Sequence, residues 1–181
     1  MQEIRIHGRG GQGSVTLAQL VAGAAFEGSR WAQAFPAFGV ERRGAPVEAY
    51  VRLDEDRIRD RSQVTSPDYV IVQDTSLLDI VDVADGMSED GLLLVNSADS
   101  IEELGLDLDL DVEVRTVDAT AIAREHLGVP IANTALMGAF AAATGLVEPD
   151  YAKAVVRKKF DEGIAEKNAS AIDAAVQEVS A

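Results

Sequence analysis

Cysteine is absent from the 181 residues, histidine occurs twice and lysine only four times. Without cysteine the chain can form no disulfide, thiolate zinc site, thiol nucleophile or cysteine-ligated iron–sulfur cluster of its own. The histidines, His7 and His126, are far apart in sequence. A histidine-based metal site would need carboxylate help, and no metal-ligand spacing is present, so no metal site is expected. Long apolar runs are missing too. None approaches the roughly 18–20 residues that span a bilayer, and Met1-Gln2-Glu3-Ile4-Arg5 leads into a strand rather than a secretory apolar region. The expectation is a soluble, cytoplasmic protein without a membrane partner.

Positive charge is also scarce. The net charge of −15 argues against a nucleic-acid partner. It is unevenly placed: residues 1–63 hold nine Arg and eight acids, whereas residues 64–181 hold seven basic residues and 23 acids. Such acidity reads either as a solvated acidic face or as an adaptation to a salty cytoplasm. With 47% hydrophobic and 26% charged residues the composition is that of a globular protein. The length suits one domain, residues 1–181, able to bury a real core.

Gln2–His7 reads as a strand that ends in Gly8-Arg9-Gly10-Gly11-Gln12-Gly13. Ser14–Phe26 carries no charge and has helical apolar spacing, so it is expected to be covered on two sides, by a sheet and by a partner subunit. Trp31–Phe35 and Val47–Leu53 read as strands, and Tyr69–Asp74, Leu92–Asn96 and Val112–Val117 as buried ones. Leu77–Val83 reads as helical, and the alternating Asp107–Asp111 stretch as an exposed edge or turn. Helices are expected over Ala119–His126, over Thr134–Thr144 with Asn133 as N-cap, from Pro149, and over Ile164–Val179. Together these predict a three-layer α/β/α, Rossmann-like fold with a mostly parallel, mixed sheet and a helical C-terminal part. The charge-free helices predict a chain that can form a homo-oligomer when isolated.

Two motifs stand out. Strand, Gly8-x-Gly10-x-x-Gly13, then helix is the layout of a phosphate-binding turn, in which glycines let the backbone approach an anion at a helix N-terminus. A dinucleotide site needs an acid about 20 residues on to hold a ribose hydroxyl. That region reads Ala32-Gln33-Ala34-Phe35, with no acid. A P-loop needs Lys after the last glycine, and Ser14 stands there. Anion or cofactor contact and a tight turn packed on another chain both remain open. The second motif, Phe38-Gly39-Val40-Glu41-Arg42-Arg43-Gly44, sets adjacent arginines in a glycine- and proline-bounded loop beside aromatics, a composition suited to ligand or interface contact. A solvated arginine pair is the simpler alternative.

The same stretches carry a family resemblance. Ile6-His7-Gly8-Arg9-Gly10-Gly11-Gln12-Gly13 resembles the opening of the gamma subunit of 2-oxoacid:ferredoxin oxidoreductases. Ala32-Gln33-Ala34-Phe35-Pro36-x-Phe38-Gly39-x-Glu41-Arg42-Arg43-Gly44-Ala45-Pro46-Val47 is similar to it over a long and specific match. Arg61-Ser62-Gln63, Pro67-Asp68, Asn133-Thr134-x-x-Met137-Gly138-Ala139 and Thr144-Gly145-Leu146 extend the likeness over most of the chain. The Glu-Arg-Arg-Gly-Ala-Pro form resembles the pyruvate or ketoisovalerate type, although Val40 stands where Pro is frequent. The resemblance implies a multi-subunit enzyme that converts a 2-oxoacid and coenzyme A to acyl-CoA and CO2, passing two electrons to ferredoxin. It implies thiamine diphosphate and Mg between alpha and beta subunits, iron–sulfur clusters in beta and delta, and no catalytic residue in this chain. It assigns Gly8, Arg9, Gly10, Gly11, Gln12 and Gly13, with Phe38, Gly39, Glu41, Arg42, Arg43, Gly44 and Asn133, to subunit contacts and the coenzyme A approach. A free-standing NAD(P)- or flavin-binding oxidoreductase and an indolepyruvate oxidoreductase subunit are the alternatives.

Overall fold

Short apolar strands with helices between them determine the layout of the computed structural model, which describes residues 1–37, 43–106 and 112–180. The strands are β1 (Gln2–Arg9), β2 (Trp31–Pro36), β3 (Pro46–Asp54), β4 (Tyr69–Val72), β5 (Leu92–Asn96) and β6 (Glu113–Val117). They form one sheet of order β2-β3-β1-β4-β5-β6. β1, β4, β5 and β6 run parallel, while β3 pairs antiparallel with both β1 and β2. The helices are α1 (Ser14–Glu27), α2 (Ile101–Leu104), α3 (Ala119–Leu127), α4 (Asn133–Thr144), α5 (Pro149–Lys159) and α6 (Glu162–Ser180). The mixed α/β fold and the helical C-terminal part are those expected. Leu77–Val83 is not a helix: a single 3-10 turn, Thr75–Leu77, with Asp74 as its cap is followed by further turns. The Asp107–Asp111 stretch lies outside the described residues.

One face of the sheet carries most of the apolar core. Ile4 and Ile6 of β1, Val51 and Leu53 of β3, Ile71 of β4 and Leu94 of β5 pack there against α1, α4 and α6. The charge-free Ser14–Phe26 stretch of α1 is covered on two sides by its own chain: the sheet lies on one, α4 and α5 on the other. Helix α4 lies against α6 so closely that a Cβ on Gly138 would stand 2.7 Å from the Ile172 carbonyl oxygen. Most apolar side chains of α1 and α4 are buried within the chain, whereas Phe26 is 68% exposed. Burial of side chains such as Leu17, Leu20, Leu136 and Phe140, worth about 1.5–3 kcal/mol each, is sufficient reason for their composition.

The second face is divided. Under β4 and β5, Val70, Val72, Leu93 and Val95 meet Leu77, Val83 and Met87, with α2 completing a thin outer layer. Under β1 and β3 the same face is polar, because alternate residues of these strands are Glu3, Arg5, His7 and Glu48, Tyr50, Arg52. Arg52 is fully buried, donates from Nε to Glu3 Oε1 at 2.6 Å and lies over the Phe35 ring at 5.3 Å. Phe35 is therefore half-buried against Tyr50 and Arg52 rather than an exposed aromatic. Burial and the hydrogen bond to Glu48 push the Tyr50 phenol up to about 12.

Candidate functional site

The parallel strands end at one edge, and the polar residues there define a crevice. β1 runs out at Arg9, and Gly10–Gly13 then turn the chain into α1. Gly11 and Gly13 adopt φ of 102° and 80°, a region an L side chain rarely enters. Close approach dictates two further glycine contacts: a Cβ on Gly8 would meet Ser14 Oγ at 2.3 Å, and one on Gly13 would meet Asn133 Nδ2 at 2.7 Å.

The two sequence motifs come together here. Gly10 donates to the Ala45 carbonyl at 2.8 Å, Gly44 donates to the Gly10 carbonyl at 2.9 Å, and Arg9 Nη1 donates to the Gly44 carbonyl at 3.0 Å. Arg9 also donates to Ser76 Oγ and faces Asp74 at 3.4 Å. Gln12 closes the turn, accepting from the Arg9 amide at 2.7 Å and donating to Asp74 Oδ2 at 2.8 Å. Burial pushes the Asp74 carboxyl up, but the bonds from Ser76 and Gln12 and the Arg9 charge together hold it below the ordinary value. Arg9 and Gln12 are thus clamps of the turn. Arg43 is exposed, with its Cγ 3.9 Å from where a Cβ on Gly11 would stand. Phe38, Gly39, Glu41 and Arg42 lie outside the described residues.

A chain of amides forms the base. Ser14 Oγ donates to Gln73 Oε1 at 2.6 Å, and Gln73 Nε2 donates to Asn133 Oδ1 at 2.8 Å. Asn96 Nδ2 donates to the Gln73 carbonyl and to Thr120 Oγ1, both at 2.9 Å. Asn133 is the first residue of α4 rather than its cap: Ala132 holds the cap position, and the Asn133 amide is directed to Gln73. Neither α1 nor α4 has a side-chain cap or an acid in its first turn. Their N-termini, at Gly13 and Asn133, both border a cavity of about 360 Å³ that Gln12, Gln73, Asn96 and Thr120 also line. Each terminus contributes roughly half a positive charge, so the crevice favours an anion or a carbonyl oxygen. No titratable side chain is among its described lining residues. The arrangement can bind and orient a ligand, and none of its described lining residues is a His, Asp, Glu, Lys or Cys that would serve as a general base.

The structure brings Gly8–Gly13, Arg43, Gly44 and Asn133 to this edge together with Ser14, Gln73, Asn96 and Thr120, which the sequence motifs did not single out. The available signal was a polar residue just past a run of buried apolar ones, Gln73 after β4 and Asn96 ending β5. Ligands in open α/β sheets bind outside the carboxyl ends of the strands. The dinucleotide alternative loses its structural basis at the same edge. β1 is flanked by antiparallel β3 and by β4, so β2, the strand that follows α1, is not its neighbour, and β2 carries no acid to hold a ribose.

Known proteins share this architecture and sequence. The family described as pyruvate ferredoxin/flavodoxin oxidoreductase matches residues 3–178. The chain belongs to this family. It is 55% identical over 157 residues to pyruvate synthase subunit PorC of Methanosarcina barkeri, covering 87% of this chain and 85% of that protein. It is 49% identical over 176 residues to the pyruvate/ketoisovalerate oxidoreductases common subunit gamma of Thermococcus kodakarensis, covering 97% and 95%. A crystal structure of pyruvate oxidoreductase subunit PORC from Thermotoga maritima superposes with a TM-score of 0.86 at 35% identity, covering 97% and 95%. As a member of the pyruvate ferredoxin/flavodoxin oxidoreductase family the chain is a gamma-type subunit of a multi-subunit oxidoreductase complex. Among the described residues no helix is long and apolar enough to cross a membrane.

Proposed function

We propose that this subunit shapes the coenzyme A approach to an active site whose reacting groups belong to partner chains. The complex oxidises pyruvate or a branched-chain 2-oxoacid: with coenzyme A it yields acyl-CoA and CO2, and two electrons pass to ferredoxin. Alpha and beta subunits would hold thiamine diphosphate and Mg, and beta and delta subunits the iron–sulfur clusters. The chain has no cysteine with which to ligate a cluster. The observation that carries the reading is the crevice, with two open helix N-termini, an amide floor and no proton-transfer group among its described lining residues. It suits the anionic, carbonyl-rich body of coenzyme A rather than a bond-breaking step. The Thermococcus relative is named as a subunit common to pyruvate and ketoisovalerate enzymes. This supports placing the 2-oxoacid pocket in other chains.

Arg43, exposed beside Gly11, is assigned to the ligand's charge, with Arg42 and Glu41 its neighbours in sequence. The test is Arg43→Ala in the assembled complex, assayed by 2-oxoacid-dependent dye reduction. A lost charged hydrogen bond predicts a rise of about tenfold in KM for coenzyme A, with KM for the 2-oxoacid unchanged. An intact complex with unaltered KM for coenzyme A would reduce the subunit to a structural role.

A further inference from the structure

The two edges of the sheet are protected differently. At one end β6 carries Glu113 and Arg115, an exposed ion pair at 2.6 Å, the kind of charge that discourages pairing with another chain. At the other end β2 reads Trp31-Ala32-Gln33-Ala34-Phe35-Pro36, without a charge. β2 is terminal in the sheet, and among the described strands it pairs with β3 alone. The Ala37 amide donates to Glu48 on β3 at 2.9 Å, which sets the alternation: residues 31, 33 and 35 address β3, and residues 32, 34 and 36 address the open side. The open side therefore offers the amides of Ala32 and Ala34 and the carbonyls of Ala32, Ala34 and Pro36. The proline stands at an outward position, where its missing amide costs the chain's own ladder nothing.

Side chains beside this edge indicate the kind of partner. Trp31 is 49% exposed at the start of the strand. Gln33, Ala34 and Phe35 line a cavity of about 540 Å³ with Arg61, which is exposed and has no ion-pair partner among the described residues. Gln33 Oε1, in the same lining, is buried and without a hydrogen-bond partner. A second copy of this chain would bring the same guanidinium and another −15 charges to the contact. An acidic segment supplies the carboxylate that Arg61 lacks.

We infer that in the assembled enzyme an extended acidic segment of another subunit adds to the open edge of β2 as a further strand, placing a carboxylate against Arg61 in the cavity beside Phe35. Backbone bonds to Ala32, Ala34 and Pro36 give affinity, and the Arg61 and Phe35 cavity gives selectivity. The inference uses only membership of a complex and is independent of the crevice assignment.

Amide hydrogen exchange of the Trp31–Pro36 segment tests it, measured in the assembled complex and in the free full-length chain at low concentration. The Ala32 and Ala34 amides should exchange fast in the free chain and at least about tenfold more slowly in the complex. Equal rates in both would overturn strand addition. Slow exchange in the free chain that strengthens with concentration would make a second copy the occupant and overturn the acidic-partner assignment. Arg61→Glu should lower recovery of the complex while the free chain keeps its melting temperature, and unchanged recovery would remove the charge argument. Ala34→Pro, which takes away an outward amide but no bond to β3, should weaken assembly in the same way. An Ala34→Pro chain that keeps its melting temperature and assembles normally would also count against the inference.

Discussion

The side-chain amide of Gln73 donates to the side-chain carbonyl of Asn133 at 2.8 Å, joining the end of β4 to the first turn of α4 under the glycine turn. Gln73 also accepts from Ser14, so one buried side chain holds the starts of two helices in place. Gln73→Leu strands Asn133 Oδ1 and Ser14 Oγ in the interior. It is expected to cost about 2–4 kcal/mol, read from urea unfolding of the isolated chain. A loss under about 0.5 kcal/mol, the size of an ordinary surface change, would show that water replaces these bonds freely.

His7 gives the fold an acid sensitivity. Burial, opposed by the Glu48 carboxylate and assisted by the Arg5 charge, pulls the imidazole from 6.5 down to about 4, and Nδ1 lies 3.6 Å from Glu48 Oε1. The unfolded chain binds a proton more readily than the folded one over that interval. The stabilising contribution is therefore whole above about pH 6.5 and is lost progressively towards pH 4, reaching roughly 3 kcal/mol. His7→Gln should flatten the stability profile between those limits. A variant that retains the wild-type slope would assign the acid sensitivity to carboxylates instead.

Gly138 sets the distance between α4 and α6. An added methyl would stand 2.7 Å from the Ile172 carbonyl oxygen and 3.0 Å from its Cα, both backbone atoms that cannot swing aside. Gly138→Ala is expected to destabilise by about 1–3 kcal/mol as the helices separate, even though alanine is the better helix former. A rise in melting temperature would mean that the helix pair accommodates the shift.

Arg9 spans three segments, the glycine turn, Gly44 and the Ser76 turn, through a planar fork. Lysine keeps the charge but cannot satisfy these acceptors together. Arg9→Lys should therefore lower stability by about 1 kcal/mol and raise KM for coenzyme A in the assembled complex. An unchanged KM beside a reduced melting temperature would confine Arg9 to holding the fold.

Most of the fold was legible because hydrophobic periodicity reports burial directly. Leu92–Asn96 needed no adjustment, and the helices after Asp118 shifted only at their ends. Leu77–Val83 misled because its apolar residues, Leu77 and Val83, cover the sheet's second face from turns, which periodicity cannot distinguish from a helix. The candidate site was half legible. Glycines announce a backbone requirement in their own sequence, and Asn133 drew notice as a cap. Gln73, Asn96 and Thr120 have no local signature, because what makes them site residues is that parallel strands end side by side.

Sequence alone determined the family, the strand-then-glycine-turn opening and the absence of a cysteine-bound cluster, since each is a property of residue identity and order. Tertiary structure alone decided that Gly44 and Ala45 pair with Gly10 of the glycine turn. It also decided that α1 and α4 are packed within their own chain, and that β2 is the uncharged terminal strand of the described sheet. The physical reason is that hydrogen bonding and burial between residues tens of positions apart depend on how strands are ordered in the sheet, and no local pattern records that order.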